Sequence, residues 1–275
     1  MNHSLFESYH WRSEIFECDT NNIEQFYSLL DIEKKRLGLT AEKLGESGDY
    51  PIWFMQGPQH NPQNPSILIS AGFHGEEVAG PWGLLHLLKS IDTSYFEQVN
   101  LSLLPLVNPT GFAKGQRFNE LGENPNHGYY FEDGVAKAGK GTSREASILI
   151  KHTDLLLASS RDGILTCHED VLLTDTYIYT FEPTVTPGDF SFQLRNVLGQ
   201  FFQIAQDGEI DDCPVRNGII FNHFDTSFES FLVKQGTRLG CCSETPGQQP
   251  IDQRILANAA AMTAFIDMSA KGENN

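Results

Sequence analysis

Basic residues are scarce in this sequence of 275 residues, and the imbalance of charge limits the possible partners. There are 19 Lys and Arg against 36 Asp and Glu, which gives a formal net charge of -17 at pH 7. Because phosphate contacts need a positive surface, this charge argues against nucleic acid as the main partner. An acidic field would favour cationic substrates, although acidic surfaces are common for solubility alone.

Long apolar runs and paired cysteine motifs are missing as well. No stretch is long enough to span a membrane, and the first residues lack the basic and apolar regions of a signal peptide. The cysteines are odd in number, with no Cys-x-x-Cys motif, and adjacent Cys241 and Cys242 cannot easily pair with each other. We therefore expect reduced thiols, a cytoplasmic location and no membrane partner. Nothing in the sequence indicates a particular oligomeric state. The 5 cysteines are Cys18, Cys167, Cys213, Cys241 and Cys242.

Strand-like apolar runs alternate with helical patterns along most of the chain. Ser66–Ala71 has the pattern of a buried strand stopped by Gly72, and residues 81–88 carry the apolar face of a helix. The alternation continues to an Ala-rich helix over residues 251–268. This rhythm predicts an α/β fold in which a largely parallel sheet lies between helices.

The length of the chain suits one α/β domain. We expect a single domain over residues 1–275, with residues 1–50 as an N-terminal extension whose one helix packs on the sheet. Residues 109–140 are rich in Gly, Asn and Pro and lack periodicity, which predicts a long functional loop. The patterns of residues 143–159 and 190–206 each predict a helix.

Three residues have the spacing and the chemistry of a metal site. His74 and Glu77 lie between the predicted strand and helix, and His168 follows another strand-like run, residues 163–167. Residues three apart in a turn point the same way, and Gly75 lets the backbone approach closely. Two histidines and one carboxylate, with one tetrahedral position left for water, form a catalytic zinc arrangement. Taken singly, Glu77 could instead be a carboxylate that stabilises the N-terminus of a helix. His168 could instead be a strand-end histidine that hydrogen-bonds a neighbouring carbonyl.

The neighbours of His168 allow further interpretations. Glu169 and Asp170 could orient the histidine by hydrogen bonding, or could build a second metal site with His127. The alternative is that both carboxylates have only a structural role. One zinc ion is the default expectation. Cys167 belongs to the core, because adjacent side chains of a strand point to opposite faces. A Gly-x-Ser-x-Gly motif is absent, which argues against a serine hydrolase.

Four segments, in this order, resemble the zinc carboxypeptidase family. They are Ser-Ala-Gly-Phe-His-Gly-Glu-Glu at 70–77, Pro-Leu-Val-Asn-Pro-Thr-Gly-Phe at 105–112, Cys-His-Glu at 167–169 and Ser-Glu-Thr-Pro-Gly at 243–247. The His-Gly-Glu-Glu turn also resembles the succinylglutamate desuccinylase and aspartoacylase deacylases. The resemblance covers roughly residues 67–247. It implies a three-layer α/β/α fold with a mixed eight-stranded sheet, one catalytic zinc, and hydrolysis of an amide by metal-activated water.

The resemblance also assigns two residues to the reaction. Glu244 follows an apolar strand-like run and matches the family's general base, which takes a proton from the water and passes it to the leaving amine. Arg117 matches the arginine that polarises the scissile carbonyl. On local evidence alone, Glu244 could instead cap a turn, and Arg117 could be an exposed loop residue.

The chain departs from the family pattern where the substrate should be held. Zinc carboxypeptidases bind the terminal carboxylate of the substrate with adjacent Asn and Arg. Here Asn126 is followed by His127, which lacks the planar fork of a guanidinium and is only partly charged at neutral pH. The family's tyrosine upstream of the base is also missing from residues 221–224, where His223 could donate a hydrogen bond or be a surface residue.

The sequence therefore predicts a zinc-dependent amide hydrolase of carboxypeptidase type that acts on peptides or small acyl-amino-acid amides. An N-acyl amino acid deacylase is the first alternative, favoured by the Gly-Glu turn and the missing arginine. A non-catalytic metal- or peptide-binding module is the second, although such a module has no use for Glu244.

Overall fold

A mixed eight-stranded sheet is the centre of the computed structural model, which describes residues 20–271. Residues 1–19 of the N-terminal extension, with Cys18, lie outside the described residues. The described strands are β1 (Thr40–Ser47), β2 (Tyr50–Gln56), β3 (Ser66–Ala71), β4 (Asn100–Leu104), β5 (Tyr129–Glu132), β6 (Val135–Ala138), β7 (Gly163–Asp170), β8 (Tyr177–Phe181), β9 (Gly208–Ile210), β10 (Cys213–Val215), β11 (Ile219–Phe221) and β12 (Gly240–Pro246). The described α-helices are α1 (Ile23–Leu37), α2 (Ala79–Ser90), α3 (Pro109–Lys114), α4 (Arg144–Lys151), α5 (Thr153–Ser159), α6 (Asp189–Leu198), α7 (Phe228–Lys234) and α8 (Ile251–Lys271).

The main sheet has the order β1-β2-β4-β3-β7-β12-β8-β11. Strands β4, β3, β7 and β12 are parallel neighbours, and β8 and β11 form a second parallel pair. Antiparallel pairing joins β1 to β2, β2 to β4 and β8 to β12. The carboxyl ends of β3, β7 and β12 therefore meet at one edge of the sheet, where open α/β sheets bind ligands.

Helices cover both faces of this sheet, which confirms the expected three-layer α/β/α fold. Along β3, Ile67 and Ile69 point into a core shared with α1, α2, α6 and α8. Leu68 points the other way, into a core shared with α4, α5 and α7. Because both faces are covered, all six residues of β3 are buried, and the strand has a continuous apolar run instead of an alternating one.

Helix α1 is the helix that the sequence predicts within the first fifty residues. The side chain of Asn22 accepts a hydrogen bond from the Gln25 N–H, and Gly38 ends the helix with a φ of 67°. Phe26 packs edge-on against Trp82 of α2, with ring centroids 5.4 Å apart. This part of the N-terminal extension is thus joined to the helical layer beside the sheet.

The structure differs from the sequence-based expectations at several elements. Strand β1 was not expected, because it is an edge strand whose first four residues are exposed and include three polar ones. The expected long loop, residues 109–140, contains α3 and the β5–β6 hairpin. The helix expected over residues 143–159 is divided at His152, and the helix expected over residues 190–206 ends at Leu198. None of the helices between residues 20 and 271 is long and apolar enough to cross a membrane.

Glu169 joins three elements of the fold. Its side chain, at the end of β7, accepts a 2.7 Å hydrogen bond from the Ala79 N–H at the start of α2. The other carboxylate oxygen pairs with Arg254 of α8. Burial raises the pKa of Glu169, and the charge of Arg254 is the first interaction that opposes this rise. The carboxylate depends on its one cationic partner, since a buried charge without compensation is costly.

We expect Arg254→Met to destabilise the fold by about 3–5 kcal/mol, because it leaves the buried Glu169 carboxylate unpaired. Urea unfolding followed by circular dichroism would measure the change. Arg161→Met is the matched control, since Arg161 pairs with Asp162 at an exposed site, where a salt bridge contributes about 0–1 kcal/mol. Equal losses in the two variants would contradict the assigned role.

Candidate metal centre

The turn after β3 brings His74 and Glu77 together. The Glu77 N–H donates a 3.2 Å hydrogen bond to the His74 carbonyl, and α2 begins two residues later. Gly75 lies in this turn against the backbone of α3. A Cβ atom on Gly75 would lie 1.9 Å from the carbonyl carbon of Gly111, so only glycine fits here.

His168 reaches the same place from the neighbouring strand. The expectation that it lies just past a strand end was wrong, because β7 continues to Asp170. Since Ala71, the last residue of β3, pairs with Cys167, His168 stands one residue beyond the end of β3. The Phe73 ring stacks on its imidazole with centroids 5.6 Å apart. Cys167 points to the opposite face and is buried in the core, as predicted.

The three side chains form a compact buried group with the donor atoms of a metal site. Nδ1 of His74 lies 2.6 Å from one carboxylate oxygen of Glu77, and Nδ1 of His168 lies 2.8 Å from the other. One ligand atom from each residue lies within 4.8 Å of the other two, so the group could hold a metal ion. The Glu169 N–H also donates to Glu77, at 3.2 Å.

The charges in this group are strongly coupled. Burial alone would raise the pKa of Glu77, but the charges of His74 and His168 and their hydrogen bonds hold it below its usual range. Burial lowers the pKa of His168, but the Glu77 carboxylate raises it to about 9. A metal ion held by His168 would therefore compete with this proton, and metal binding would release it.

Two asparagines lie against the other nitrogen atoms of the imidazoles. Oδ1 of Asn124 lies 3.1 Å from Nε2 of His74, and Nδ2 of Asn126 lies 3.3 Å from Nε2 of His168. Such contacts fix ring orientation and leave Nδ1 facing Glu77. Asn126 also accepts a hydrogen bond from the Phe228 N–H at 3.2 Å, and it is only 8% exposed. Sequence reasoning missed Asn124, whose only signal is its position two residues before Asn126.

Arg117 joins the group from the segment after α3. Its Nη1 lies 3.0 Å from Glu77 and 3.4 Å from Glu76. The Arg117 carbonyl is held by the Gly75 N–H at 3.3 Å and by Nδ2 of Asn108 at 3.2 Å. The side chain of Arg117 is still 42% exposed, so part of it remains open to solvent.

Glu244 lies beside the group on the next strand. In the parallel pairing of β7 and β12 it stands opposite His168, and paired residues share a face of the sheet. Burial raises the pKa of Glu244 well above its usual range, the charge of His168 opposes this rise, and Glu77 adds to it. The carboxylate of Glu244 is therefore close enough to His168 and Glu77 for their charges to change its pKa.

His127 lies near the same group but in a more exposed position. Its Nδ1 is 3.4 Å from the hydroxyl of Thr226. Burial lowers its pKa below the usual 6.5, Asp225 opposes this shift, and the charges of His74 and Arg117 add to it. His223, the other uncertain histidine, is exposed, and its Nε2 lies 3.5 Å from the thiol of Cys213.

A second metal site has no support in residues 20–271. The only group there with the required spacing is His74, Glu77 and His168. Glu169 is occupied by Arg254 and Ala79. The side chain of Asp170 accepts hydrogen bonds from the Tyr177 hydroxyl at 3.1 Å and from the Leu172 N–H at 2.9 Å.

Comparison with known proteins identifies relatives along almost the whole chain. Residues 63–147 match the succinylglutamate desuccinylase/aspartoacylase catalytic domain. This segment contains His74, Glu77, Arg117, Asn126 and His127. No curated protein matches the chain significantly.

Solved structures extend the likeness to the rest of the fold. A proposed metallopeptidase from Shewanella amazonensis SB2B is 66% identical, with a TM-score of 0.92 over 94% of this chain and 97% of that chain. A second, from Shewanella baltica OS155, is 58% identical, with a TM-score of 0.92 over 96% and 98%. A proposed carboxypeptidase A from Shewanella denitrificans OS-217 is 16% identical and has a TM-score of 0.68 over 90% of this chain and 69% of that chain, which shows a shared fold.

The fold, the matched catalytic segment and these relatives together support a metal-dependent hydrolase. The chain belongs to the family of these proposed Shewanella metallopeptidases, shares the fold of the carboxypeptidases, and is similar over residues 63–147 to the succinylglutamate desuccinylase and aspartoacylase catalytic domain.

Proposed function

We propose that this protein is a zinc-dependent amide hydrolase of carboxypeptidase type. The observation that carries the proposal is the buried group of His74, Glu77 and His168, with Glu244 opposite His168 on the adjacent strand. A protein that only binds metal has no need of a second carboxylate at this position. Beyond family membership, the proposal names the metal, the roles of individual residues and the class of substrate.

His74, Glu77 and His168 are the proposed ligands of one zinc ion. Two imidazole nitrogens and one carboxylate are a donor set that zinc accepts, with a fourth position left open in catalytic sites. The contacts of Asn124 and Asn126 with Nε2 direct both Nδ1 atoms toward Glu77, which favours this assignment. When bound, zinc supplies Lewis acid catalysis by polarising water and the scissile carbonyl.

Glu244 is the proposed general base. A carboxylate beside the attacking water accepts its proton and returns it to the leaving nitrogen. The raised pKa of Glu244 in its buried setting makes it a stronger base than a solvated carboxylate. Arg117, which reaches the ligand group with part of its guanidinium exposed, is placed to stabilise negative charge on the carbonyl oxygen.

The proposed substrates are peptides or small acyl-amino-acid amides. We assign Asn126 and His127 to substrate placement. Asn126 would act mainly through its contacts with His168 and the start of α7, since its amide is buried between them. His127 has a lowered pKa, so it is mostly neutral at pH 7 and would hold a terminal carboxylate weakly.

N-acyl amino acid deacylation is the second candidate reaction. The match of residues 63–147 to the desuccinylase and aspartoacylase catalytic domain supports it. So does His127, which replaces the arginine that a carboxypeptidase uses for a free C-terminus. The metal and the base would serve both reactions in the same way, and only the substrate pocket would differ.

A cytoplasmic location remains our proposal for the compartment. Cys167, Cys213, Cys241 and Cys242 are all buried free thiols in the described part of the chain. Free thiols suit a reducing compartment.

We predict that His74→Ala, Glu77→Ala and His168→Ala each lose zinc while the protein stays folded, because the three side chains lie at one edge of the sheet. Elemental analysis after dialysis, with circular dichroism for folding, would measure this. Glu76→Ala is the matched control, because Glu76 is the adjacent carboxylate but does not belong to the ligand group. Undiminished zinc in all three variants would end the metal hypothesis.

Glu244→Gln should keep fold and zinc but lose turnover by about a hundred-fold or more, because the nearly isosteric amide cannot accept the proton. Steady-state kinetics with the best substrate, on protein of verified zinc content, would measure the loss. A kcat close to that of the wild type would remove Glu244 from its proposed role.

His127→Arg should lower KM for peptides with a free C-terminus, because a guanidinium can pair with the carboxylate in bidentate fashion. In the wild type, KM should fall as pH falls through the lowered pKa of His127, since only the protonated ring is cationic. KM of the arginine variant should stay flat over the same range, at saturating zinc. Leu121→Arg, a charge added at an exposed position of the same segment, is the control. Unchanged KM in His127→Arg would place His127 outside the specificity site.

A further inference from the structure

A cavity of about 490 Å³ lies at the edge of the sheet opposite the candidate metal centre. Its lining includes the residues that directly precede the parallel strands β3, β7 and β12. Because these strands run in the same direction, their amino ends meet at one edge, and their carboxyl ends, with the candidate metal ligands, meet at the other. His168 lies five residues beyond Gly163, the first residue of β7, which corresponds to about 17 Å at 3.3 Å per residue. The cavity is therefore separate from the candidate metal centre.

Three cationic side chains and one carboxylate line this cavity. The cations are Arg161, Arg238 and Lys271, and the carboxylate is Asp162. Asp267, one turn before Lys271 in α8, is near the lining: burial raises its pKa, and the charge of Lys271 opposes this rise. The formal net charge of the chain is -17, so a cavity with more cations than carboxylates reverses the sign of the overall charge. Charge of one sign in a cleft attracts ions of the opposite sign.

The Asp162 carboxylate already has its partners. Its Oδ2 accepts hydrogen bonds from the Ser66 N–H at 2.8 Å and from Nε and Nη2 of Arg161 at 3.0 and 2.8 Å. Nη2 of Arg161 also donates to the Asn64 carbonyl at 3.2 Å. These contacts hold the guanidinium against the starts of β3 and β7. Nη1 of Arg161 has no partner in the described part of the chain, so it remains free to donate.

Arg238 has a guanidinium without any partner between residues 20 and 271. Its backbone N–H donates to the Arg161 carbonyl at 3.1 Å, which fixes the two arginines side by side. Every other arginine in that range donates from its guanidinium to a carboxylate, a side-chain amide or a backbone carbonyl. Arg238 is the exception. A guanidinium has five donors in a planar fork, which matches the two oxygens of a carboxylate.

Apolar side chains complete the lining. Phe190 of α6, Leu239 before β12 and Met268 of α8 contribute to it. Phe190 is held in place by an edge-on contact with Phe265, with ring centroids 6.2 Å apart. Sites for small organic molecules have volumes of about 300–1,000 Å³ and combine apolar walls with a few polar groups. The volume and the lining of this cavity both fit that description.

We propose that this cavity binds a small organic carboxylate that carries an apolar group. The carboxylate would pair with the guanidinium of Arg238, and Lys271 and Nη1 of Arg161 would be further donors. The apolar group would lie against Phe190 and Leu239, where an inorganic anion would leave the apolar walls in contact with water. The inference goes beyond the proposed amide hydrolysis and does not depend on it, because the cavity lies at the opposite edge of the sheet.

Calorimetry of the full-length protein with three probes tests this inference. The probes are 3-phenylpropionate, its neutral analogue 3-phenyl-1-propanol, and inorganic phosphate. We expect 3-phenylpropionate to bind at least about tenfold more tightly than the other two, because only this probe has both a carboxylate and an apolar group. Equal binding of the alcohol would overturn the role of the cations. Equal binding of phosphate would overturn the organic class of the ligand.

Variants of the cavity locate the binding. Arg238→Gln should weaken binding of 3-phenylpropionate at least about tenfold, and adding Lys271→Gln should weaken it further. Lys140→Gln removes one cation at an exposed position outside the cavity and should leave the affinity unchanged. Arg117→Gln is the second control, because a carboxylate could also approach the candidate metal centre. Unchanged affinity in Arg238→Gln, or loss of binding in Arg117→Gln alone, would overturn the inference.

Discussion

The carboxylate of Glu77 is the interaction on which the candidate site depends. It accepts contacts from two imidazoles and one guanidinium, which come from three different segments of the chain. Burying such a charge is costly unless its partners are held in place. The fold therefore has to bring the turn after β3, the end of β7 and the segment after α3 to one point. A metal ion would hold the same two histidines and Glu77 together, because it attracts imidazole nitrogen and carboxylate oxygen atoms.

Close backbone packing makes this convergence possible. Gly75 rests on the backbone of Gly111 with no room for a side chain. The buried Asn108 side chain donates to the carbonyls of Phe73 and Arg117, at 3.2 Å each, and accepts from the Gly111 N–H at 2.9 Å. The Asn108 side chain thus fixes the backbone before His74, the start of α3 and the backbone of Arg117. The position of the arginine follows from these backbone contacts, while its guanidinium remains partly exposed.

The sequence allowed the prediction of those parts that local patterns control. Buried strands such as β3 have apolar runs, and His74 and Glu77 have the spacing of one turn, so both could be predicted. Strand β1 could not, because an exposed edge strand carries polar residues whose pairing is decided by its neighbour β2. The contact between Asn124 and His74 is also set by tertiary packing across fifty positions of the chain.

The charges around the candidate site provide only weakly for an anionic end of a substrate. Arg117 is the guanidinium of the proposed site, and it is already shared between Glu76 and Glu77. The position that would hold a second arginine in a carboxypeptidase is His127, whose pKa is lowered by burial and by the nearby cations. A terminal carboxylate would therefore be held weakly, and this is the feature that separates the two candidate classes of substrate, since the metal ligands and the base would serve both in the same way.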